Sequence, residues 1–344
     1  MRIVILHNGA LIASLRRLGH EVLHIGTTPG CDVVLDQPLS HRRFLDLLAT
    51  RGWRPDLVLW CDACQPPWMF GLESLPAVVI GYSVDQYMNP WHVPYSAAFD
   101  TVFVAQKDYL PLFDQPHFAR PSRWLPLYCD QDRDTDPGGP RDIPVAFVGT
   151  LESHANPGRK PFLEAFRAQA PLFVTSGRYG PIFGRSRLVL NQSAAGELNF
   201  RVFEAMACGA ALLTEDAGNG LRDLFRPGRD LFVYRRGDAT DAAAQARLAL
   251  ADPDLPTIAG RGREIVLAGH TALHRARDIA LTARRLAGSG APGRRLARLA
   301  AVRREVAKAY AFLATDTALP LADDQRQFYL QMAERTDQLT SSSS

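Results

Sequence analysis

Several features are scarce in this chain. Only five cysteines occur in 344 residues, at 31, 61, 64, 129 and 208. Their number is odd and their spacing irregular, which excludes a disulfide framework and points to a reducing compartment. Cys61-Asp62-Ala63-Cys64 has the spacing of a metal or redox pair, but no second Cys/His pair accompanies it. Two thiols in a βα loop is the simpler reading. Long apolar runs are also missing. The best charge-free stretch, Leu75 to Val84, is half the roughly 20 residues that a membrane span needs. At the N-terminus, Ile3–Leu6 is interrupted by His7-Asn8-Gly9 and no small-residue cleavage site follows, so no signal peptide is expected. The expected location is the cytoplasm. Charge of one sign is lacking too: 39 Lys and Arg stand against 36 Asp and Glu, a formal net charge of +3. That is too little to argue for a nucleic-acid partner.

What is present describes a soluble globular protein of two domains. Apolar residues make up 47% and charged residues 22%, and the length suits two units of ordinary size. In the first part, short apolar runs at Arg2–Leu6, Glu21–Ile25, Asp56–Trp60, Ala77–Tyr82, Thr101–Ala105 and Arg123–Leu127 alternate with helical segments. Ser40 is placed to cap a helix through Arg51, with Phe44, Leu47 and Leu48 on one face. The runs are continuous rather than alternating, as in parallel strands covered by helices on both faces. Asp130 to Pro140 is polar and ends in turn formers, and reads as a linker. A second alternating series starts at Val145–Gly149, with strands at Leu172–Thr175, Arg187–Gln192, Ala211–Thr214 and Leu231–Tyr234 and a helix at Phe200–Cys208. Helices follow from Ala239 to about Ala287. Beyond a break at Gly288–Gly293 come a basic helix from Arg294 to about Leu313 and a last helix near Asp323–Leu339. The tail Ser341–Ser344 reads as disordered. The expected boundaries are 1–128, a linker at 129–142, 143–287, and a helical extension at 288–340. Two doubly wound sheets in tandem predict two sets of strand ends facing a cleft, a layout suited to group transfer.

The most informative segment runs from Asn191 to Gly209. A small polar loop follows a strand, Asn199 is placed as an N-cap, and the helix begins at Phe200. The free N–H groups of such a helix start suit an anion, and Arg201 in the first turn adds a bidentate cation. Glu204 projects beside the apolar stripe formed by Phe200, Phe203 and Ala207. Two readings of it stand open: an acceptor for two ribose hydroxyls, or a structural pair with Arg201 at i, i+3. On the first domain His7, Asp62, Asp85 and His92 lie at or after strand ends. Asp85 is the candidate catalytic base, and a turn or helix-cap residue is its alternative. Trp91 and Tyr95, beside His92, suit a sugar face or the core.

Asn199 through Thr214, with Gly220-Leu221, Leu224-Phe225, Pro227-Gly228, Ala259–Gly262, His270-Thr271 and Arg275, resembles the CgeB-type glycosyltransferases of the group 1 class. The resemblance covers about 143–285 well and 1–127 loosely. It implies an α/β fold of two Rossmann-like doubly wound domains of GT-B type, followed by C-terminal helices. Phe147-Val148-Gly149-Thr150 is similar to the strand that opens the family's nucleotide-sugar domain, which implies donor contacts at Gly149 and Thr150. Arg159 and Lys160 resemble the basic pair that meets the diphosphate. Glu204 matches the second Glu of the retaining class's paired-Glu motif, and Glu197 lies near the first, with six residues between them where seven are usual. The resemblance thus implies a catalytic role near the transferred sugar for Glu197, and donor binding by Asn199, Arg201 and Glu204.

The expected activity is transfer of a hexosyl or related sugar from a nucleotide diphosphate donor to an acceptor hydroxyl, with retention. No metal and no further cofactor are expected, because Arg159, Lys160, Arg201 and the helix start can meet the departing diphosphate. The acceptor (glycan, protein or small molecule) is open. A nucleotide-sugar epimerase and a non-catalytic sugar-nucleotide-binding or assembly protein are the alternatives. The basic segment 284–308 is a candidate contact for anionic lipid or an acidic partner, or a helix packed on the body with its arginines in solvent.

Overall fold

The computed structural model describes residues 1–118, 120–152 and 156–341. Of the tail read as disordered, positions 342–344 lie outside the described residues. The chain forms two compact units. The first takes Met1–Ala105, Tyr109–Leu125 and the chain from Ala276 on, and the second takes Gln106–Asp108 and Pro126–Arg275.

The first unit carries seven parallel strands: β1 (Arg2–His7), β2 (Glu21–Gly26), β3 (Val33–Val34), β4 (Leu57–Cys61), β5 (Val78–Ser83), β6 (Thr101–Val104) and β7 (Arg123–Trp124), in the order β3-β2-β1-β4-β5-β6-β7. Every residue of β4, β5 and β6 is buried, as the uninterrupted apolar runs require of central strands. β7 is shorter than the expected run. Ser40 accepts from Arg43 N and caps the helix His41–Thr50, which buries Phe44 and Leu48. Trp91 and Tyr95 are 0% and 1% exposed, so both serve the core and neither offers a ring face to a sugar.

The second unit carries β8 (Ile143–Val148), β9 (Phe173–Thr175), β10 (Ser186–Asn191), β11 (Ala211–Glu215) and β12 (Phe232–Tyr234), all parallel, in the order β12-β11-β10-β8-β9. Its core sets Val145, Phe147, Leu188 and Leu190 of the sheet against Phe162 and Phe166 of the helix Arg159–Arg167 and the alanine face of the helix Ala239–Ala251. The segment read as a linker is ordered in part: Asp134 is 1% exposed and its carboxylate accepts from Asp130 N and Arg133.

The basic segment differs from a single expected helix. It forms Ala291–Ala297 and Leu299–Thr315 with a break at Arg298. Val302, Val306 and Tyr310 pack in the first unit's core with Phe70 and Tyr95, so the apolar stripe is not presented to lipid. Arg295 is 0% exposed and ion-pairs with Asp100 at 2.5 Å. Among the described residues, no helix is long and apolar enough to cross a membrane.

Candidate functional site

Ligands of doubly wound sheets sit at the carboxyl ends of the strands where the strand order reverses. In the second unit the chain moves outward through β9 on one side of β8 and through β11 and β12 on the other side of β10. The reversal therefore lies between β8 and β10. The residues that follow those two strands and the helix Phe200–Ala207 build the site.

Arg201 sits in the first turn of that helix. Its Nε and Nη2 donate to Val148 O at 3.2 and 2.8 Å, and its Nη1 donates to Asn191 Oδ1 at 2.9 Å. The guanidinium lies 4.5 Å from the centre of the Phe147 ring. It thus ties the ends of β8 and β10 across the reversal. Its partners are a carbonyl and an amide, and burial lowers its pKa to about 10. Arg159 approaches the same ring at 5.6 Å. Its Nε donates to Gln192 Oε1 at 3.0 Å and its Nη1 to Thr150 O at 2.9 Å. Two guanidiniums beside one ring concentrate positive charge at the strand ends, and Arg159 disfavours the charge on Arg201. Gly149 follows β8 and its N–H donates to Thr175 O at 3.0 Å. Lys160 points elsewhere, pairing with Glu152 at 2.7 Å on the surface.

The loop from Gln192 to Asn199 is held from several sides. Both oxygens of Glu197 accept backbone N–H groups, from Ala194 at 2.9 Å and Ala195 at 2.7 Å. Gln106 brackets Leu198, accepting from its N–H and donating to its carbonyl. Asn219 donates to Gly196 O at 2.9 Å. Ser193 hydrogen-bonds the buried Glu215. Gly196 has φ +81°, and a Cβ there would meet Arg236 Nη1 at 2.7 Å, so a third guanidinium lies against the loop. Asn199 occupies the N-cap position with extended backbone, but its side chain makes no capping bond and its Oδ1 is buried without a partner. The expected cap is therefore one of backbone only.

Glu204 is not paired with Arg201, its neighbour at i, i+3. Its nearest cation is Arg133, at 3.5 Å. The Tyr179 hydroxyl donates to Asp134 Oδ1 at 2.8 Å. Burial raises the Glu204 pKa to about 7. Arg133, Tyr179, Gln192 and Arg236 were not singled out from the sequence. The acidic run 130–136 gave the one visible signal, since it contains Asp-x-Asp triplets. Those carboxylates are spent locally: Asp130 accepts from Asp132 N, Asp134 from Arg133 and Tyr179, and Asp136 pairs with Arg141 at 3.0 Å. Among the described residues, no group of three or more His, Cys, Asp or Glu is placed to hold a metal.

In the first unit the order reverses between β1 and β4. There Asp62 accepts from Cys64 N, Val84 N and Asp85 N, which joins the ends of β4 and β5. Asp85 is half-buried and accepts from Cys64 Sγ at 2.8 Å and from the Tyr87 hydroxyl at 3.0 Å. Its geometry is that of a turn residue within a network. Burial raises the pKa of the Cys61 and Cys64 thiols, which keeps them protonated. His7 ends β1 with φ +67°, an uncommon conformation for a residue with a side chain.

Residues 142–280 match the protein family described as glycosyl transferase-like. No curated protein matches the chain. Among solved structures, sucrose-phosphate synthase from Thermosynechococcus elongatus is similar with a TM-score of 0.63 at 15% identity, over 84% of this chain and 100% of that one. The Anabaena protein HepE in complex with UDP and glucose gives 0.61 at 16% identity, over 82% and 99%. A glycosyltransferase from Rickettsia africae gives 0.63 at 10% identity, over 83% and 98%. At these identities the likeness is one of fold: the chain has the two parallel-sheet α/β domains and C-terminal helices seen in GT-B glycosyltransferases.

Proposed function

We propose that the chain is a CgeB-like glycosyltransferase. It moves a hexosyl or related sugar from a nucleotide diphosphate donor to the hydroxyl of a glycan, protein or small molecule, in the cytoplasm, without a metal and with retention of configuration. The observation that carries this reading is the pair of guanidiniums, Arg159 and Arg201, flanking Phe147 at the strand reversal of the unit that matches the glycosyl transferase-like family. In the transfer the bond from C1 of the sugar to the diphosphate oxygen breaks and its electron pair leaves on the diphosphate. The acceptor oxygen bonds C1 and its proton passes to the departing phosphate. Fixed cations that need no reorganisation stabilise that developing charge.

Glu204 is the candidate ribose ligand, and Glu197 acts through the loop it holds together. Retention is carried by the resemblance of Glu197 and Glu204 to the paired-Glu motif. Since HepE is solved with UDP-glucose, that is the first donor to try. Calorimetric titration of UDP and UDP-glucose into the wild-type chain and Arg201→Ala tests the reading. It expects binding that the variant loses, and equal affinity in the two proteins would end it. Conversion of the donor to an isomer, with no transfer, would identify an epimerase instead.

A further inference from the structure

We propose that the carboxyl edge of the first unit's sheet binds an uncharged, hydroxyl-rich molecule and rejects phosphorylated ones. As a statement about the acceptor this rests on the transferase reading; as a binding site it stands alone.

Four of the loops at that edge are free of cations, whereas the loop after β6 carries Lys107, which pairs with Asp223 at 2.8 Å. Segments 8–11, 27–32, 62–71 and 84–91, which follow β1, β2, β4 and β5, contain no Lys or Arg, in a chain that has 39. They contain Asp32, Asp62 and Asp85. Asp32 pairs with Arg16, Asp62 accepts backbone N–H groups, and Asp85 accepts from a thiol and a phenol. A phosphate brought here would meet carboxylates and no guanidinium or ammonium from these loops. This is the reverse of the arginine-rich edge in the second unit.

A cavity of about 330 Å³ opens at this edge, within the roughly 300–1,000 Å³ of small-molecule sites. Its polar lining is Thr27, Gln65, Asn89 and Gln325, with Cys64 and the Trp68 indole beside them. Carboxamides and hydroxyls both donate and accept, which suits sugar hydroxyls, and an indole suits the C–H face of a sugar ring. Arg326, from the helix that supplies Gln325, spends its guanidinium on the carbonyls of Asp316 and Leu319.

Buried polar atoms without partners gather at the same edge. Gln86 is 2% exposed, yet neither atom of its amide is hydrogen-bonded. Both ring nitrogens of His7 are shielded and unpartnered. His92 Nε2 stands 3.8 Å from Asp62 Oδ1 without a hydrogen bond. Buried polar groups are nearly always satisfied, and orphans clustered at one strand reversal mark a polar binding site. All of them are neutral amide or imidazole groups, set behind the cavity lining rather than in it.

The test is saturation-transfer NMR on the full chain with glucose and maltose against glucose 6-phosphate and fructose 6-phosphate, repeated on Trp68→Ala and Gln65→Arg. The neutral sugars should bind, the phosphorylated ones at least about tenfold more weakly. Trp68→Ala should lose the neutral sugars, and the exposed Gln65→Arg should admit the phosphorylated ones. Phosphorylated sugars binding as well as neutral ones would overturn the proposal, as would no binding by either set, or neutral binding that neither variant changes. UDP calorimetry on the same samples separates the two readings: UDP bound without sugar removes this site alone, and sugar bound without UDP removes the donor site alone.

Discussion

A Cβ added at Gly149 would lie 2.6 Å from Arg201 Nη2. The glycine that follows β8 and the arginine in the first turn of the helix, 52 residues later, therefore act as one device. The absence of a side chain at 149 is what lets the guanidinium reach Val148 O. Gly149→Ala should displace Arg201 and weaken nucleoside diphosphate binding by about tenfold or more, the scale of a lost charged hydrogen bond. Calorimetry with far-UV circular dichroism as a folding control measures this. An unchanged affinity would remove Arg201 from donor binding.

Glu204 gives a pH signature. Its folded pKa is about 7, against an ordinary value of 4.5. Between those values the folded protein keeps a proton that the unfolded chain has released, so stability falls as pH rises through that window. The contribution is on the order of 3 kcal/mol. Glu204→Gln keeps a neutral group and should flatten the difference between urea melts at pH 4.5 and pH 7.5. A variant with the wild-type slope would contradict the burial assigned to this carboxyl.

Glu197 separates two roles. Its oxygens are held by Ala194 and Ala195 N–H groups. Glu197→Ala should lower stability by about 1–3 kcal/mol and raise the donor Kd, because the loop loses its clasp. A variant with full donor affinity and only a fall in kcat would instead make Glu197 a residue of the chemical step.

The ion pair of Arg295 and Asp100 fixes the helix Ala291–Ala297 in the first unit. Both side chains are fully buried, and Arg295 also donates to the carbonyls of Glu73, Leu75 and Ala77. Arg295→Ala leaves a buried carboxylate unmatched and should cost about 3–5 kcal/mol, read as a lower Tm and urea midpoint. A shift within the error of a surface substitution would show that the pair is not closed in solution.

Chelation tests the cation inventory. With Arg159, Arg201 and Arg236 grouped around one loop, transfer should survive excess EDTA. Loss of activity restored by a divalent cation would place a metal on the diphosphate.

The strands were legible because burial on both faces leaves an uninterrupted apolar run. Leu57–Cys61 and Ala211–Glu215 fall within a residue or two of the expected positions. The helix Phe200–Ala207 was legible from its spacing and the glycine after it. Partners were not legible. Sequence spacing offered Arg201 to Glu204, but the fold gives Glu204 to Arg133, which comes from a polar segment read as a linker. Likewise Trp91 and Tyr95 carry no mark that distinguishes a core ring from one that meets a ligand.

Periodicity is a local property, so the chain's pattern alone determined two parallel α/β sheets and a helix start suited to an anion. Which guanidinium stands in solvent and which is folded inward depends on carbonyls and carboxylates brought from distant segments. Only the tertiary structure decided that Arg201 bridges β8 and β10, that Arg295 is sealed against Asp100, and that cations crowd one sheet's carboxyl edge while the loops after β1, β2, β4 and β5 of the other gather without any. Desolvation and charge pairing act through space, and spacing along a chain does not encode that distance.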